Sequence, residues 1–374
     1  MMYIVVGGGV VGLFSAVYLA REGADVVLVD SAPGGWSKAA AGVLEPTKFE
    51  INRINVRGYP VRYIKMWLKG KARIARLDWR WILTYIKVYG REYPEEIWNQ
   101  VKELARFSIS EYRRLAEEKN DFEFREEPLY EVVEDIEAEV AALKQDPLKP
   151  RFDVGEVKGR RAIVYLDSVV ISTDLAVERL YREVASRGVR IVNKKASRVE
   201  EGRVVLEDGE ILKGDGVIVA AGWWARRLGV PVAPLKGYGF RLVARWSGPT
   251  VADFIGGVFL VPFKGWIKAT GRFDLDASPD HSPSRKVLAA AKTWLGDFEV
   301  MDMAVGYRPC APDGLPVIER RGGVVVATGG CRLGWTLGPG IAHAAVQLLL
   351  GRSATALTTA RFSAGKRLAA ALKH

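Results

Sequence analysis

The sequence contains little cysteine and histidine and has no long uninterrupted apolar run. Its 374 residues include two cysteines, Cys310 and Cys331, and three histidines. Two cysteines are too few for a disulfide framework, and they lack the Cys-x-x-Cys spacing of thioredoxin-like and zinc motifs. No stretch of about 18 apolar residues is present that could span a bilayer. The sequence therefore argues against metal chemistry and against a membrane-spanning protein.

The N-terminal segment also lacks the features of an export signal. Its apolar run from Met1 to Ala20 is interrupted by four glycines and has neither a basic leader nor a cleavage pattern. We therefore expect a cytoplasmic protein. The composition, with 49% hydrophobic and 26% charged residues, is that of a soluble globular protein. The length favours two domains that share a junction.

Basic residues exceed acidic ones by 55 to 44, which gives a formal charge of +11. One local concentration, from Tyr63 to Tyr89, combines lysine and arginine with tryptophan and tyrosine. A basic, aromatic-rich helical stretch can lie on a membrane surface, so peripheral contact with the cytoplasmic face of a membrane is one interpretation. The alternative is an ordinary helical insertion with a basic, solvated face. We expect no nucleic-acid partner, because no RNA-binding motif accompanies the charge.

The first 30 residues have the pattern of a nucleotide-binding unit. Residues 3 to 6 predict a buried strand, Val10 to Arg21 a buried helix, and Asp25 to Asp30 a second strand. Strand, turn, helix and strand within about 30 residues are typical of the opening of a doubly wound fold. The sequence therefore predicts an α/β protein of Rossmann type.

The rest of the chain predicts an interrupted arrangement. A helical pattern from about 56 to 145 indicates an insertion, and we expect its acidic stretch from Glu131 to Glu139 on a solvated face. The nucleotide fold resumes near 172, and residues 235 to 275 indicate a separate meander of sheet. The last strand and its glycines lead into a helix predicted from Ile341 to Leu350.

A glycine motif, Gly7-x-Gly9-x-x-Gly12, follows the first strand and opens the first helix. The glycines allow a tight turn and a close approach of the backbone to pyrophosphate at the positive end of a helix. Asp30 lies about 20 residues further on, where a carboxylate accepts hydrogen bonds from a ribose. A solvated aspartate at the end of a strand is the alternative for Asp30.

The motif alone does not separate NAD from FAD. Two further strands end in glycine, at Ala221-Gly222 and at Thr328-Gly329-Gly330, which indicates one large cofactor contacted by remote parts of the chain. This arrangement favours FAD. We place the FAD-binding domain in residues 1–55, 152–228 and 305–374, and a discontinuous α+β substrate-binding domain in residues 56–151 and 229–304.

Four segments of the sequence, in their order along the chain, match the motifs of one protein family. They are the glycine motif with Asp30, Ser37–Leu44 (Ser-Lys-Ala-Ala-Ala-Gly-Val-Leu), Gly306–Pro316 (Gly-Tyr-Arg-Pro-Cys-Ala-Pro-Asp-Gly-Leu-Pro) and Gly330–Leu337 (Gly-Cys-Arg-Leu-Gly-Trp-Thr-Leu). Together they resemble the D-amino-acid oxidase superfamily of FAD enzymes, in the branch of glycine oxidase and the D-amino-acid dehydrogenases. The resemblance covers nearly the whole chain. It departs at Gly330-Cys331, where the dehydrogenases commonly have a histidine.

The motifs and the resemblance together imply non-covalent FAD, because the cysteine that attaches FAD in sarcosine oxidases has no counterpart here. The expected cofactor-binding residues are Gly7, Gly9, Val10, Val11, Gly12, Asp30, Ser31, Ser37, Ala40, Ala41, Gly42, Val199, Ala221, Gly222, Trp224, Arg308, Gly330, Arg332, Leu333, Gly334, Trp335 and Thr336.

The resemblance also implies a substrate site. It gives Arg308 the role of binding the substrate carboxylate, which suits a planar guanidinium. The alternative for Arg308 is a structural pair with Asp313. Arg332 is expected to contact the carboxylate or to line the entrance, with a solvated loop arginine as the alternative. Tyr238 and Tyr307 are candidates for the pocket wall, although aromatic residues near glycines are also common in cores.

By the same resemblance, the reaction is hydride transfer from the α-carbon of an unprotonated amine to flavin N5, with no side-chain base. We expect a dehydrogenase that oxidises the C–N bond of a small D-amino acid and passes electrons to a quinone or an artificial dye. D-proline fits, because the Leu-Gly-Trp-Thr segment and an aromatic-rich pocket suit a compact apolar ring. L-proline dehydrogenase and glycine or sarcosine oxidase are alternatives. Functions of other classes are a non-catalytic FAD-binding subunit and an RNA-modifying flavoprotein.

Overall fold

The protein is described by a computed structural model that covers residues 1–49, 54–75 and 78–363. The strands are β1 (Met2–Val6), β2 (Asp25–Val29), β3 (Val43–Leu44), β4 (Arg125–Glu126), β5 (Leu129–Val132), β6 (Phe152–Val157), β7 (Arg160–Tyr165), β8 (Val169–Val170), β9 (Arg190–Val192), β10 (Ala196–Glu200), β11 (Arg203–Leu206), β12 (Ile211–Lys213), β13 (Gly216–Val219), β14 (Ala233–Val243), β15 (Thr250–Asp253), β16 (Val258–Phe263), β17 (Trp266–Leu275), β18 (Glu299–Cys310), β19 (Val317–Arg321) and β20 (Val324–Thr328). The α-helices are α1 (Val10–Arg21), α2 (Tyr59–Leu68), α3 (Trp79–Val88), α4 (Glu95–Glu118), α5 (Ile136–Lys144), α6 (Thr173–Ser186), α7 (Arg285–Leu295) and α8 (Gly334–Leu349).

The first sheet has the strand order β19-β20-β13-β1-β2-β9. All its neighbours pair in parallel except β19, which is antiparallel to β20. Parallel sheets covered on both faces have continuous apolar strands, and β1 follows this rule, since the side chains of Ile4 and Val5 are fully buried. The carboxyl ends of β1, β2, β13 and β20 share one edge. The predicted α/β fold of Rossmann type is confirmed.

The second large sheet has the strand order β18-β14-β17-β16-β15-β5-β7-β6 and is antiparallel except between β15 and β5. It contains β6 and β7, although we expected residues 152–165 in the nucleotide-binding part. It also contains all of β18, which pairs with β14 along its length, so the expected boundary at 305 falls inside a strand. Short alternating segments do not indicate which sheet they join, and this is why these boundaries differ.

Helix α8 begins at Gly334, seven residues before the expected start, and Pro339 lies inside it. A proline cannot donate a hydrogen bond to the carbonyl four residues earlier, which is that of Trp335. The Tyr112 hydroxyl, on α4, donates to this carbonyl at 2.9 Å instead. The backbone N–H of Gly340 donates to the Ser108 hydroxyl at 2.9 Å. Helix α4 therefore compensates for a proline that, in sequence, marks a helix boundary.

The acidic stretch from Glu131 to Glu139 is only partly a solvated face, since Glu134, Asp135 and Glu137 are exposed whereas its two ends are buried. Glu131 is 3% exposed and accepts a hydrogen bond from the buried Lys48 ammonium at 2.7 Å. The ammonium also lies 4.0 Å from the centre of the Tyr165 ring. Glu139, on α5, is buried too. A charge that is paired and hydrogen-bonded can be buried, and its partner here comes from a distant part of the chain.

Candidate active site

A cavity of about 670 Å³ lies where the carboxyl ends of the parallel strands meet the large sheet. It extends from the turn Gly7–Gly9, past Asp30, to Gly237 on β14 and Arg308 on β18. In open α/β sheets, ligands bind outside the carboxyl ends of the strands. The position of the cavity is therefore the one that the fold favours for a nucleotide cofactor.

The glycine turn is fixed by close packing. Gly7 has φ +105°, and a Cβ there would lie 2.5 Å from the Ala220 carbonyl oxygen. A Cβ at Gly12 would lie 1.7 Å from the Gly7 carbonyl oxygen, so Gly12 allows α1 to approach the turn. Helix α1 begins at Val10, and its N-terminal end faces the cavity. Backbone N–H groups at a helix N-terminus bind phosphate oxygens, so this turn fits a pyrophosphate.

Asp30 follows β2 and lines the cavity. Its carboxylate accepts hydrogen bonds from the backbone N–H groups of Gly8 at 2.6 Å and Ala32 at 2.7 Å. These two bonds orient the carboxylate, and the two oxygens of a carboxylate together offer about four acceptor positions. The geometry leaves capacity for ribose hydroxyls, as the motif predicts.

The loop after β2 is tied to the starts of both helices that face the cavity. The Ser37 hydroxyl accepts from the Val10 N–H at 3.1 Å, and the Trp335 indole donates to the Ser37 carbonyl at 3.0 Å. Gly42 has φ +84°, and a Cβ there would lie 2.0 Å from the Ile171 carbonyl oxygen. This segment therefore forms a rigid wall of small residues against which a planar ring system can lie.

Most of the expected cofactor-binding residues come together in this one cavity. Those that line it are Gly7, Gly9, Val10, Val11, Asp30, Ser31, Ser37, Ala40, Ala41, Gly42, Val199, Ala221, Gly222, Trp224, Arg308, Gly330, Arg332, Gly334, Trp335 and Thr336. Gly12 and Leu333 are placed behind the wall, where Gly12 packs against the turn and Leu333 is buried in the core. The set fits an extended FAD molecule, with the glycine turn at the pyrophosphate and the small-residue loop at the flavin.

Arg308 and Arg332 line the cavity, and both contact the Phe273 ring. The guanidinium carbons of Arg308 and Arg332 lie 4.7 Å and 4.4 Å from the ring centre. The Arg308 guanidinium donates to the Arg272 carbonyl at 3.0 Å, and Arg272 has a left-handed backbone at φ +74° where the pairing of β14 with β17 is irregular. Burial, and next the positive Arg332, lower the pKa of Arg308 to about 10. Arg308 is therefore a cation at neutral pH that an anionic ligand would stabilise.

The alternative that Arg308 pairs with Asp313 does not match the structure. Asp313 accepts from the Arg361 guanidinium at 2.7 Å and 3.1 Å and from the Tyr93 hydroxyl at 2.8 Å. Within the described ranges of the chain, Arg308 forms no ion pair with a carboxylate. Arg308 is thus held by backbone carbonyls and directed into the cavity, as a ligand-binding arginine would be.

The two tyrosines proposed for the pocket wall lie in different places. Tyr307 lines the cavity and packs against Trp36 and Trp224, with ring centres 5.2 Å and 5.8 Å away. Tyr238 does not line it, contrary to our expectation, because its side chain is buried with Phe240 in the core on the other face of β14. Side chains alternate along a strand, so the neighbouring Gly237 faces the cavity instead.

Several residues that line the cavity were not predicted from the sequence. Phe259 and Phe273 provide aromatic surface, Glu45 adds a carboxylate, and the partly exposed Trp36 also lines the cavity. An aromatic residue in a sheet has no sequence signal that separates core from cavity. Cys331 also lines the cavity and forms a disulfide with Cys310.

The comparisons with known proteins agree with this geometry. The model of the FAD dependent oxidoreductase family (DAO) matches residues 2–348. The chain belongs to this family. It is 51% identical to a D-proline dehydrogenase of Pyrobaculum islandicum over 96% of this chain and 99% of the relative.

Two more distant matches to known proteins agree with the family and the fold of this FAD-dependent oxidoreductase. It is 27% identical to a D-amino acid dehydrogenase of a Methylobacterium species, over 94% of this chain and 96% of the relative. The crystal structure of glycine oxidase from Bacillus cereus superposes with a TM-score of 0.68 at 19% identity, covering 95% of this chain and 98% of that one. The prediction of an FAD-dependent amino-acid dehydrogenase is confirmed at that level.

Proposed function

We propose that this protein is a D-proline dehydrogenase, in which Arg308 binds the substrate carboxylate and electrons leave FAD for a quinone or dye acceptor. The observation that carries the proposal is the half-buried Arg308, which lines a cavity with an aromatic wall and forms no ion pair with a carboxylate among the described residues. The D-proline dehydrogenase of Pyrobaculum islandicum supports the choice of substrate.

The pocket chemistry suits a small cyclic amino acid. Arg308 offers a planar guanidinium for the two carboxylate oxygens, and the Arg332 guanidinium contacts the same Phe273 ring. The rings of Phe259 and Phe273 line the same cavity and give apolar surface for the methylene groups of the substrate. Proline with its amine unprotonated, the form that reacts, presents one carboxylate and a largely apolar ring.

Bound FAD would supply the two-electron acceptor, and the chain's residues would bind and orient the substrate. The glycine turn, Asp30 and the Ser37–Gly42 loop would hold the cofactor. Arg308 and the Phe273 ring would fix the carboxylate and the ring of the substrate, so that its α-carbon faces the flavin. Positioning of this kind lowers the barrier because the reacting groups are already aligned.

Peripheral membrane contact is part of the proposal, because a quinone acceptor is dissolved in the bilayer. The outward side chains Trp79, Leu83 and Ile86 of α3 are 75%, 57% and 65% exposed. On α2, Leu68 is 71% exposed, and lysines and arginines are interspersed on both helices. Apolar side chains flanked by basic ones are typical of helices that lie on anionic membrane surfaces.

The structure contains no candidate for a spanning segment in the residues it describes. None of the helices there is both long enough and apolar enough to cross a bilayer.

Helix α3 packs beside the site, since the Trp81 indole donates to the Cys310 carbonyl at 2.8 Å. A membrane bound at α3 would therefore lie next to the strand that carries Arg308.

Anaerobic mixing of the purified flavoprotein with D-proline, L-proline, glycine and sarcosine tests the function. We expect D-proline alone to bleach the visible flavin absorption, and we expect a dye to restore it faster than air. Bleaching by L-proline or glycine instead would contradict the substrate. Fast reoxidation by air would contradict the acceptor, and no bleaching by any of these amines would favour a non-catalytic subunit.

A further inference from the structure

The cysteines of this chain, Cys310 and Cys331, stand beside the two arginines of the cavity. Cys310 ends β18, two residues after Arg308, and Cys331 directly precedes Arg332 in the chain. The two sulfurs form a disulfide, with the Cα atoms 4.2 Å apart. One covalent link therefore connects the two segments from which the guanidinium groups project.

The disulfide also connects the two sheets. Cys310 belongs to the large sheet, and Cys331 lies in the turn between β20 and α8, which belong to the nucleotide-binding part. Both cysteines are buried, at 1% and 2% exposure. The link therefore lies at the junction where substrate would meet cofactor.

Two features of this junction destabilise the local conformation that the structure shows. Cys331 has φ +43°, a left-handed backbone conformation that residues other than glycine seldom adopt. The guanidinium groups of Arg308 and Arg332 carry the same charge and contact one phenylalanine ring, and the charge of Arg332 lowers the pKa of Arg308, so the two groups repel each other. A covalent link can hold a turn that is both strained and under repulsion.

We propose that the Cys310–Cys331 disulfide is a positioning device that holds Arg308 and Arg332 at the separation needed to bind one substrate carboxylate. The inference rests on the proposed function, since it takes the carboxylate as the ligand of the arginines. The bond acts through the arginines and contributes no atom to the reaction. Its loss would let the turn relax and the guanidinium groups separate, and the carboxylate would then lose one of its partners.

The test compares the wild-type holoenzyme with the double variant Cys310→Ser/Cys331→Ser. The probe is cyclopentanecarboxylate, a ring carboxylate without an amine, and its Kd is measured from the change in the flavin spectrum. We expect the Kd of the probe and the KM of D-proline to rise on the order of tenfold or more, because small misplacements of binding groups have effects of this size. The change in kcat and the FAD content are expected to be small.

A matched control separates positioning from stability. The core variant Val287→Ala, in α7, removes buried methyl groups away from the cavity, and it is expected to lower Tm without changing the probe Kd. A disulfide variant that loses Tm but keeps the wild-type Kd and KM would overturn the inference. Should the double variant not fold, wild-type holoenzyme reduced by a phosphine gives the same comparison, with the free thiols counted by alkylation and mass.

The variant Arg308→Ala distinguishes failure of this inference from failure of the proposed function. If Arg308→Ala leaves probe binding unchanged, the proposed carboxylate contact is wrong. If Arg308→Ala abolishes probe binding and the disulfide variant does not weaken it, only the inference about the disulfide is wrong.

Discussion

The guanidinium of Arg308 donates a hydrogen bond of 3.0 Å to the carbonyl of Arg272, a residue whose own backbone is left-handed at φ +74°. The side chain of Arg272 forms an ion pair with Asp274 at 2.8 Å. A local irregularity in β17 therefore fixes the direction of a side chain on β18. The arginine that we propose for substrate binding is oriented before any ligand arrives.

Replacing Arg308 with alanine is expected to lower kcat/KM for D-proline by roughly a hundredfold or more, because each hydrogen bond to a charged group contributes about 1.5–3 kcal/mol. Steady-state kinetics with a dye acceptor measures the loss. Arg308→Lys keeps the charge and loses the planar fork, so it is expected to recover only part of the activity. The FAD content of both variants should stay at the wild-type level. Unchanged kinetics in Arg308→Ala would contradict the assigned role.

Binding of a carboxylate should depend on pH through Arg308. Burial and the nearby Arg332 lower the pKa of Arg308 to about 10, so the free enzyme carries this charge below that pH and loses it above. We expect the affinity for cyclopentanecarboxylate to be constant from neutral pH to about pH 9 and to fall as pH rises past about 10. Titration of the flavin spectrum at each pH measures this. The variant Arg308→Met is expected to bind the probe weakly and to show no fall in affinity near pH 10. If the variant still shows that fall, a group other than Arg308 is responsible for it.

Gly12 offers a test of the cofactor site. A methyl group at Gly12 would lie 1.7 Å from the Gly7 carbonyl oxygen, so Gly12→Ala must push α1 away from the turn. We expect most of the FAD to be lost on desalting, which the ratio of flavin to protein absorbance reports. Gly35→Ala is the control, since its methyl group would make an ordinary contact of 3.7 Å with Ala32. Equal retention of FAD by the two variants would argue against the packing role of Gly12.

The hydrogen bond from Tyr112 to Trp335 should be measurable as stability. Tyr112→Phe leaves the buried Trp335 carbonyl without its donor, which costs about 1–3 kcal/mol in the free energy of unfolding. Tyr18→Phe is a matched control in the same core, because the buried Tyr18 hydroxyl has no hydrogen-bond partner within the described part of the chain. Urea unfolding of both holoenzymes measures the difference. Equal losses of unfolding free energy in the two variants would mean that the hydrogen bond from Tyr112 to Trp335 does not compensate for Pro339.

What the sequence could predict depended on how local each feature is. The strand, helix and glycines of the first 30 residues form a contiguous pattern, and that part of the fold was predictable. The start of α8 was not, because the group that compensates for Pro339 is Tyr112, 223 residues from its acceptor Trp335. The burial of Glu131 likewise depends on Lys48, 83 residues away.

The candidate site shows the same division. Arg308 and the glycine motif lie in segments with a recognisable pattern. The exclusion of Tyr238 from the cavity depends on which face of β14 turns inward, and β14 has a register shift between Lys236 and Tyr238. No feature of the sequence near Phe273 indicates that two arginines lie against its ring.

The outward faces of α2 and α3 give the last prediction. Trp79, Leu83 and Ile86 recur on one side of α3 and are exposed, so they can enter the interfacial region of a bilayer while nearby basic residues attract anionic lipid. We expect the holoenzyme to sediment with phosphatidylglycerol vesicles at low salt, to remain in solution with phosphatidylcholine vesicles, and to be released by high salt.

The variant Trp79→Ser/Leu83→Ser should lose this binding and keep its dye-linked activity, because neither side chain lines the cavity. Val154→Ser/Ile211→Ser is the control, since it removes exposed apolar side chains from other elements, β6 and β12. Equal sedimentation of the two double variants would mean that α3 is not the contact. No sedimentation of the wild-type protein at low salt would exclude binding to anionic membranes and direct the search for the acceptor to soluble carriers.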